Sequence, residues 1–143
     1  MTSSPTIRFA TPNDAATLDR LNAAFNSSSD GPEKFVERLA GPCRVDIPLL
    51  AEVDEQAAGF ACLRVVPNLF YPNPYAELTE LYVEPDCRRR GIGQALVAYA
   101  EKLAEEQGSK SMKILTWYDN HEASRLYRSM GYEDDDISLW KRL

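Results

Sequence analysis

The most chemically distinctive stretch of the sequence places three arginines directly before two closely spaced glycines. Residues 88–90 are all arginine, Gly91 follows them, and Gly93 comes two positions later. Apolar residues recur at helical spacing from Ile92 onward, so the two glycines fall in the first turn of a helix. Backbone amides in a first turn lack intrahelical acceptors and carry the positive end of the helix dipole. The stretch therefore predicts a diphosphate site, with a simple solvated connection as the alternative.

Two well-known phosphate loops do not fit this stretch. A Walker loop requires lysine and then serine or threonine after its last glycine, whereas Gln94 and Ala95 follow Gly93. A dinucleotide-binding fingerprint requires a third glycine where Leu96 stands, early in a βαβ unit.

Two glutamates interrupt the apolar strand that leads into the arginine loop. Strict alternation predicts Glu77 and Leu81 on one face of this strand, and Glu80 and Tyr82 on the other. A carboxylate in a cleft can accept the proton of an amine, directly or through water. The alternative is a rim glutamate that pairs with an arginine such as Arg64.

The elements that must position these residues alternate between strands and helices. A proline-punctuated aromatic stretch, residues 67–75, cannot join a sheet throughout and is either a rigid connection or a wall of an acceptor site. An earlier serine-rich loop, residues 26–32, follows the first predicted helix and carries a turn signal at Asp30-Gly31. Periodicity and turn signals predict strands at 6–9, 47–53, 57–66, 77–83 and 112–117, and final strands at 132 and 137–140. Helices are predicted from 11, from about 33 to a stop at Gly41-Pro42, from 91 to 107 and from 121 to 130.

Length, composition and net charge restrict the classes of protein to which this sequence can belong. At 143 residues and 44% hydrophobic content, the chain predicts one α/β domain spanning 1–143. A net charge of -6 argues against a nucleic-acid binder. No apolar run is long enough to span a membrane, and the N-terminus resembles no secretory signal.

The potential metal ligands show no zinc spacing. Cys43, Cys62 and Cys87 are odd in number and, like the sole histidine His121, do not follow a ligand pattern. We therefore expect no metal and a reduced, cytoplasmic setting.

Two motifs resemble the GNAT superfamily of N-acetyltransferases. The first is Arg88-x-x-Gly91-x-Gly93, which resembles the acetyl-coenzyme A pyrophosphate loop of that family. The second is more specific and matches the family's C-terminal signature: Asn120-x-x-Ala123-x-x-x-Tyr127-x-x-x-Gly131-Tyr132. One helix and one strand separate them, as in small amine acetyltransferases of the spermidine/spermine type. The implied fold is a mixed, twisted sheet with helices on both faces.

The resemblance also implies a role for each matching position. Acetyl-CoA, the co-substrate, would place its pantetheine arm along the strand end and its pyrophosphate on the arginine loop. Asn120 would hold the pantetheine, Ala123 would leave room for it, and Tyr127 would protonate the departing thiolate. The implied cofactor-binding residues are Leu81, Tyr82, Val83, Arg88, Arg89, Arg90, Gly91, Ile92, Gly93, Gln94, Ala95, Asn120, Ala123 and Tyr127.

One departure from the polyamine enzymes concerns the base. Those enzymes carry an acidic pair where this chain has Thr79 followed by Glu80. The candidate bases are therefore Glu80, then Glu77, or a water relay.

The predicted activity is transfer of an acetyl group from acetyl-CoA to a primary amine of a small molecule by direct attack. The alternatives are acetylation of a peptide or protein, at an N-terminus or a lysine, and a non-catalytic acyl-CoA-binding regulatory module. A homodimer formed through the C-terminal strands is compatible with the same pattern.

Overall fold

The computed structural model describes residues 3–42 and 44–143, so Cys43 lies outside the described residues. The strands are β1 (Thr6–Phe9), β2 (Asp46–Val53), β3 (Gln56–Val66), β4 (Tyr75–Val83) and β5 (Lys113–Ile114). The α-helices are α1 (Ala15–Asn26), α2 (Pro32–Leu39), α3 (Ile92–Glu106) and α4 (His121–Ser129). Short 3-10 turns precede α1 at Pro12–Asp14 and α3 at Pro85–Cys87.

The five strands form one mixed sheet in the order β1-β2-β3-β4-β5. Each of the first four strands is antiparallel to its neighbours among them, and β5 runs parallel to β4. A tight hairpin joins β2 to β3, because Val53 pairs with Gln56 and both turn residues, Asp54 and Glu55, have positive φ. The sequence predicted both strands, at 47–53 and 57–66, to within one residue at each end.

Each face of the sheet is covered by helices, as predicted. One face packs against α3 and α4 through a cluster that includes Leu63, Leu78, Leu96 and Tyr127. The opposite face packs against α1 and α2 through a cluster that includes Leu21 and the aromatic residues Phe60 and Tyr82. Alternate residues of the central strands supply the two clusters, as the pleat of a sheet requires.

A bulge in β4 overturns the predicted alternation of its side chains. Cys62 of β3 pairs with Glu80, but the next residue, Leu63, pairs with Leu78, so Thr79 is the extra residue. Glu77 and Glu80 consequently share the face of α1 and α2. Leu81, which strict alternation placed beside Glu77, instead packs with Leu78 on the face of α3 and α4.

The C-terminal third contains fewer strands than predicted. The strand expected over 112–117 is confined to Lys113–Ile114, the part of this described segment that pairs with β4. Residues 132–143, all of them described, form neither helix nor strand, so the final strands predicted at 132 and 137–140 are absent here. Within the described parts of the chain, no helix is both long and apolar enough to cross a bilayer.

Candidate functional site

A gap opens between β4 and β5 at the bulge. The two strands pair only at Glu77 with Lys113 and at Leu78 with Ile114. From Glu80 to Val83, β4 is paired with β3 on one side and, among the described residues, has no ladder partner on the β5 side. This open edge can bind an extended ligand through backbone N–H and C=O groups, as an added strand would.

The arginine loop lies at the end of this open edge. Arg88 Nε donates to the carbonyl of Val83 at 2.9 Å, and its guanidinium lies 5.8 Å from the ring centre of Tyr82. These contacts tie the loop to the end of β4. Arg89 and Arg90 are exposed and do not share this anchor.

The first turn of α3 provides free amides beside the loop. The first hydrogen bond that closes the helix runs from the Ala95 N–H to the Gly91 carbonyl at 3.0 Å. The amides of Ile92, Gly93 and Gln94 therefore have no acceptor within the helix. The side chain of Ile92 is buried in the core, so only its backbone can face a ligand.

The two glycines of the loop serve different purposes. Gly91 has a φ of +76°, and a Cβ built there would meet nothing within 4 Å, so backbone conformation alone favours glycine. A Cβ at Gly93 would lie 3.1 Å from Leu126 Cδ2 on α4. Gly93 therefore allows α3 to approach α4, a packing role that the sequence did not reveal.

Helix α4 begins at the gap and is capped by Asn120. The side-chain oxygen of Asn120 accepts a hydrogen bond from the Ala123 amide at 3.2 Å. Ala123 is half-buried and packs against the cluster below α3 and α4. His121, in the first turn, is exposed.

Tyr127 points into the sheet from α4 and is 8% exposed. Its ring meets that of Tyr132 edge to face, with centroids 6.1 Å apart. Burial raises the pKa of the Tyr127 phenol to about 12, so the hydroxyl keeps its proton at neutral pH. Burial alone causes this shift, and no side-chain hydrogen bond from the described residues contributes to it, so the hydroxyl proton is available to a ligand.

The two candidate bases lie on the opposite face of the sheet. Asn26, at the end of α1, donates its side-chain amide to Glu80 at 3.3 Å. Glu77 accepts a hydrogen bond from the Tyr75 hydroxyl at 3.0 Å. The arginine proposed as an alternative partner, Arg64, instead pairs with Asp46 at 2.8 Å.

Asn26 is a site residue that the sequence indicated only as part of a loop. It is the last residue of α1, and it also donates to Asn22 one turn earlier at 2.7 Å. An asparagine just before a serine-rich break was the available signal.

Among residues 3–42 and 44–143, no three potential metal-ligating side chains converge.

The site is therefore a gap between two strands with different groups on its two sides. Free amides and arginines lie at one end, the Tyr127 hydroxyl lies on the α4 side, and Glu80 lies on the α1 side. A diphosphate with an extended arm fits this arrangement, because the arm can follow the open edge of β4.

Comparisons with a family profile and with related sequences point to the same protein family. A profile of the acetyltransferase (GNAT) family matches residues 16–132. The chain is 26% identical over 144 residues to an aminoglycoside N(6')-acetyltransferase type 1 of Stenotrophomonas maltophilia, covering 99% of this chain and 94% of that protein.

Solved structures share the fold at lower identity. A ribosomal-protein-alanine N-acetyltransferase from Brucella melitensis biovar Abortus 2308 superposes with a TM-score of 0.85 at 22% identity, over 98% of this chain and 100% of that one. An aminoglycoside N-acetyltransferase in complex with CoA gives a TM-score of 0.82 at 19% identity, over 100% and 96% of the two chains. The chain belongs to the acetyltransferase (GNAT) family and is an acetyl-CoA-dependent N-acetyltransferase.

Proposed function

We propose that this enzyme transfers the acetyl group of acetyl-CoA to a primary amine of a small molecule by direct attack. The observation that carries the proposal is the position of Glu80 and Tyr127 on opposite faces of the sheet, on either side of the gap between β4 and β5. An amine that enters from the α1 side reaches a carboxylate, and a leaving sulfur on the α4 side reaches a phenol.

The co-substrate is held by backbone groups and arginines. When bound, acetyl-CoA supplies the acetyl group as a thioester. Its pantetheine arm follows the backbone of Leu81, Tyr82 and Val83, beside Asn120 and Ala123. The pyrophosphate is bound by Arg88, Arg89, Arg90, Gly91, Ile92, Gly93, Gln94 and Ala95, with Arg89 and Arg90 as the exposed cations.

Glu80 removes the proton that the amine loses as its nitrogen bonds to the thioester carbon. Its carboxylate is oriented by Asn26, which leaves the second oxygen for the substrate. Glu77, on the same face but hydrogen-bonded to Tyr75, is the second candidate. A water molecule that relays the proton to solvent is the third.

Tyr127 stabilises the sulfur as its bond to the acetyl carbon breaks. A phenol with a pKa of about 12 holds its proton more tightly than a thiol, whose ordinary pKa is about 8.5. Complete transfer of the phenol proton to a free thiolate is therefore uphill by roughly 5 kcal/mol. Hydrogen-bond donation to the developing negative charge avoids this cost, and the sulfur takes its final proton as it leaves the site.

A small, cationic amine is the proposed acceptor class. The relative from Stenotrophomonas maltophilia acts on aminoglycosides by its name, and the match extends over nearly the whole of both chains. The acceptor side of β4 carries Glu77 and Glu80, which attract an ammonium ion before it loses its proton. The serine-rich loop between α1 and α2 borders this side.

We also propose a reduced compartment, such as the cytoplasm. Cys62 and Cys87 are both free thiols. Burial raises the pKa of the Cys62 thiol to about 11, which keeps it protonated and unreactive.

Calorimetric titration with acetyl-CoA, followed by thiol release against a panel of amines, tests the proposal. The panel contains an aminoglycoside, a polyamine, amino acids and a peptide with a free N-terminus. We expect binding of acetyl-CoA and release of CoA with at least one small amine. Release with the peptide alone would replace the small-molecule acceptor by a protein, and binding without release would indicate a regulatory module.

A further inference from the structure

Glu84 lies between the open edge of β4 and the arginine loop, and its carboxylate has two partners. Arg20 of α1 pairs with Oε1 at 2.5 Å, and the Tyr82 hydroxyl donates a hydrogen bond to Oε2 at 3.3 Å. The side chain of Glu84 is 21% exposed, and that of Arg20 is 57% exposed. This ion pair therefore joins the helix on the acceptor side of the sheet to the start of the loop that is proposed to bind the coenzyme.

The backbone of Glu84 brings its charge close to the diphosphate site. Its N–H donates to the Ala58 carbonyl of β3 at 2.8 Å, and its carbonyl accepts from the Cys87 amide at 2.8 Å, in the turn that leads to Arg88. A 3-10 turn advances about 2 Å per residue, so the Cα atoms of Glu84 and Arg88 are at most about 8 Å apart. This separation is less than the Debye length of about 10 Å at 0.1 M salt, so the Glu84 carboxylate acts on an anion bound at the loop.

Tyr82 is in contact with both Glu84 and Arg88. Its hydroxyl donates to the carboxylate, and the Arg88 guanidinium lies 5.8 Å from its ring centre. Because both charged side chains are long, a Glu84 carboxylate without Arg20 would be free to turn towards Arg88. Such a pair would occupy guanidinium nitrogens that otherwise bind the diphosphate, and it would reduce the positive charge of the loop.

Helix α1 also contacts other parts of the site. Phe25 stacks on Tyr82 with ring centroids 5.5 Å apart, and Asn26 donates to Glu80. The helix that carries Arg20 is therefore held against β4 by neighbouring contacts, which fixes the guanidinium beside Glu84.

We propose that Arg20 is a positioning residue of the coenzyme site, because its ion pair holds the Glu84 carboxylate away from Arg88 and neutralises its charge. This inference rests on the proposed function, in which Arg88 binds the diphosphate of acetyl-CoA. Arg20 does not touch the coenzyme and acts through Glu84. Loss of Arg20 therefore weakens coenzyme binding only while Glu84 is present.

Calorimetric titration with CoA tests the proposal. It needs no acceptor, so its result does not depend on which amine the enzyme acetylates. We expect Arg20→Gln to raise the dissociation constant of CoA about 5-fold at 0.1 M salt, the upper end of what exposed charge pairs contribute. Arg20→Lys keeps the charge and should stay within about 2-fold of the wild type.

Arg38→Gln is the matched control for Arg20→Gln. Arg38 pairs with Asp30 at the same distance of 2.5 Å and is 58% exposed, but it lies on α2. This variant should bind CoA as the wild type does.

Two further readouts separate this role from a general loss of structure. Glu84→Gln alone should bind CoA at least as tightly as the wild type, and adding Arg20→Gln to it should cause no further change. At about 1 M salt, where the Debye length is about 3 Å, the difference between Arg20→Gln and the wild type should disappear.

An unchanged dissociation constant in Arg20→Gln overturns the proposal. An equal loss with and without Glu84 also overturns it, since Arg20 would then bind the coenzyme directly. A wild-type protein that does not bind CoA would instead overturn the proposed function, and with it the role of Arg88.

Discussion

Glu77 and Glu80 lie on the same face of β4, three positions apart, because Thr79 is the extra residue of a bulge. In a regular strand, residues three apart face opposite ways. The bulge therefore places both carboxylates on the face of α1 and α2, which is the side proposed for the acceptor. The pairing of β4 with β5 also ends at Leu78, directly before the bulge. The bulge therefore coincides with the start of the gap and with the placement of both glutamates on one face.

Replacing Glu80 with glutamine should lower kcat/KM for the amine about 100-fold, since removal of a positioned base typically costs this much. Glu77→Gln is the matched control on the same face, and we expect only a few-fold loss because Glu77 is engaged by Tyr75. Thiol release at saturating acetyl-CoA provides the measurement. Wild-type rates in Glu80→Gln would mean that the amine proton leaves through water.

Replacing Tyr127 with phenylalanine should lower kcat about 10- to 100-fold, because a hydrogen bond to the developing thiolate is lost. The dissociation constant of acetyl-CoA should stay the same, since this bond strengthens only as charge develops. Calorimetry and steady-state kinetics separate the two effects.

Tyr132→Phe is the control for this prediction. Its ring packs edge to face on Tyr127, so a loss that reflects packing alone would appear in both variants. An equal loss of acetyl-CoA affinity and turnover in Tyr127→Phe would contradict its role as the leaving-group donor.

Deletion of Thr79 should leave the fold intact but weaken acetyl-CoA binding about 10-fold or more. Without the extra residue, the strand alternates regularly. Leu78 and Leu81 then stay on the core face, and Glu77 and Glu80 stay on the opposite face, so the core is preserved. The bend that a bulge introduces would be lost, and β4 could continue pairing with β5 across the gap. Thermal unfolding and calorimetric titration together check this, and unchanged affinity would show that the gap does not depend on the bulge.

Arg90→Ala should weaken acetyl-CoA binding about 10-fold and reduce its dependence on salt, because an exposed cation beside the pyrophosphate is removed. Adding Gly93→Val should weaken binding further, since a side chain there would press on Leu126. Titrations at low and high salt measure both effects. Arg125→Ala removes another exposed arginine, on α4, and should bind acetyl-CoA as the wild type does.

Asp14→Asn should destabilise the protein by about 1–2 kcal/mol at neutral pH. The Arg8 guanidinium donates to both oxygens of Asp14 at 2.8 Å and lowers the pKa of this carboxyl to about 2. The folded state therefore binds the proton less tightly than the unfolded state. The stabilisation is present above the ordinary pKa of about 4 and is lost as the pH falls towards 2. Solvent screens this ion pair, because the Arg8 side chain is 38% exposed, so the stabilisation is smaller than the full pKa shift implies.

Urea unfolding at neutral pH and near pH 2 measures this effect, and the difference between wild type and Asp14→Asn should shrink in acid. Asp134→Asn is the control, because Asp134 pairs with Arg128 at the surface and should change stability little. Equal losses in both variants would contradict a special contribution from Asp14.

The sequence determined the family, the order of the elements as far as α4, and the helix that begins after the arginine loop. These depend on local signals: helical periodicity after Ile92, turn chemistry at Asp54 and Glu55, and the cap at Asn120. Each signal acts within a few residues, so it can be recognised without knowledge of distant contacts.

Tertiary structure decided the features that depend on pairing between distant segments. The bulge at Thr79 is defined by how β4 pairs with Cys62 and Leu63 of β3, and no local sequence signal in β4 predicts it. The packing role of Gly93 likewise depends on Leu126, on a different helix.

The C-terminal segment shows the same limit most clearly. Its residues have the composition of a strand, but a strand forms only where another offers an edge at the right distance. Among the described residues, 137–143 pair with no strand, which the local pattern alone could not decide.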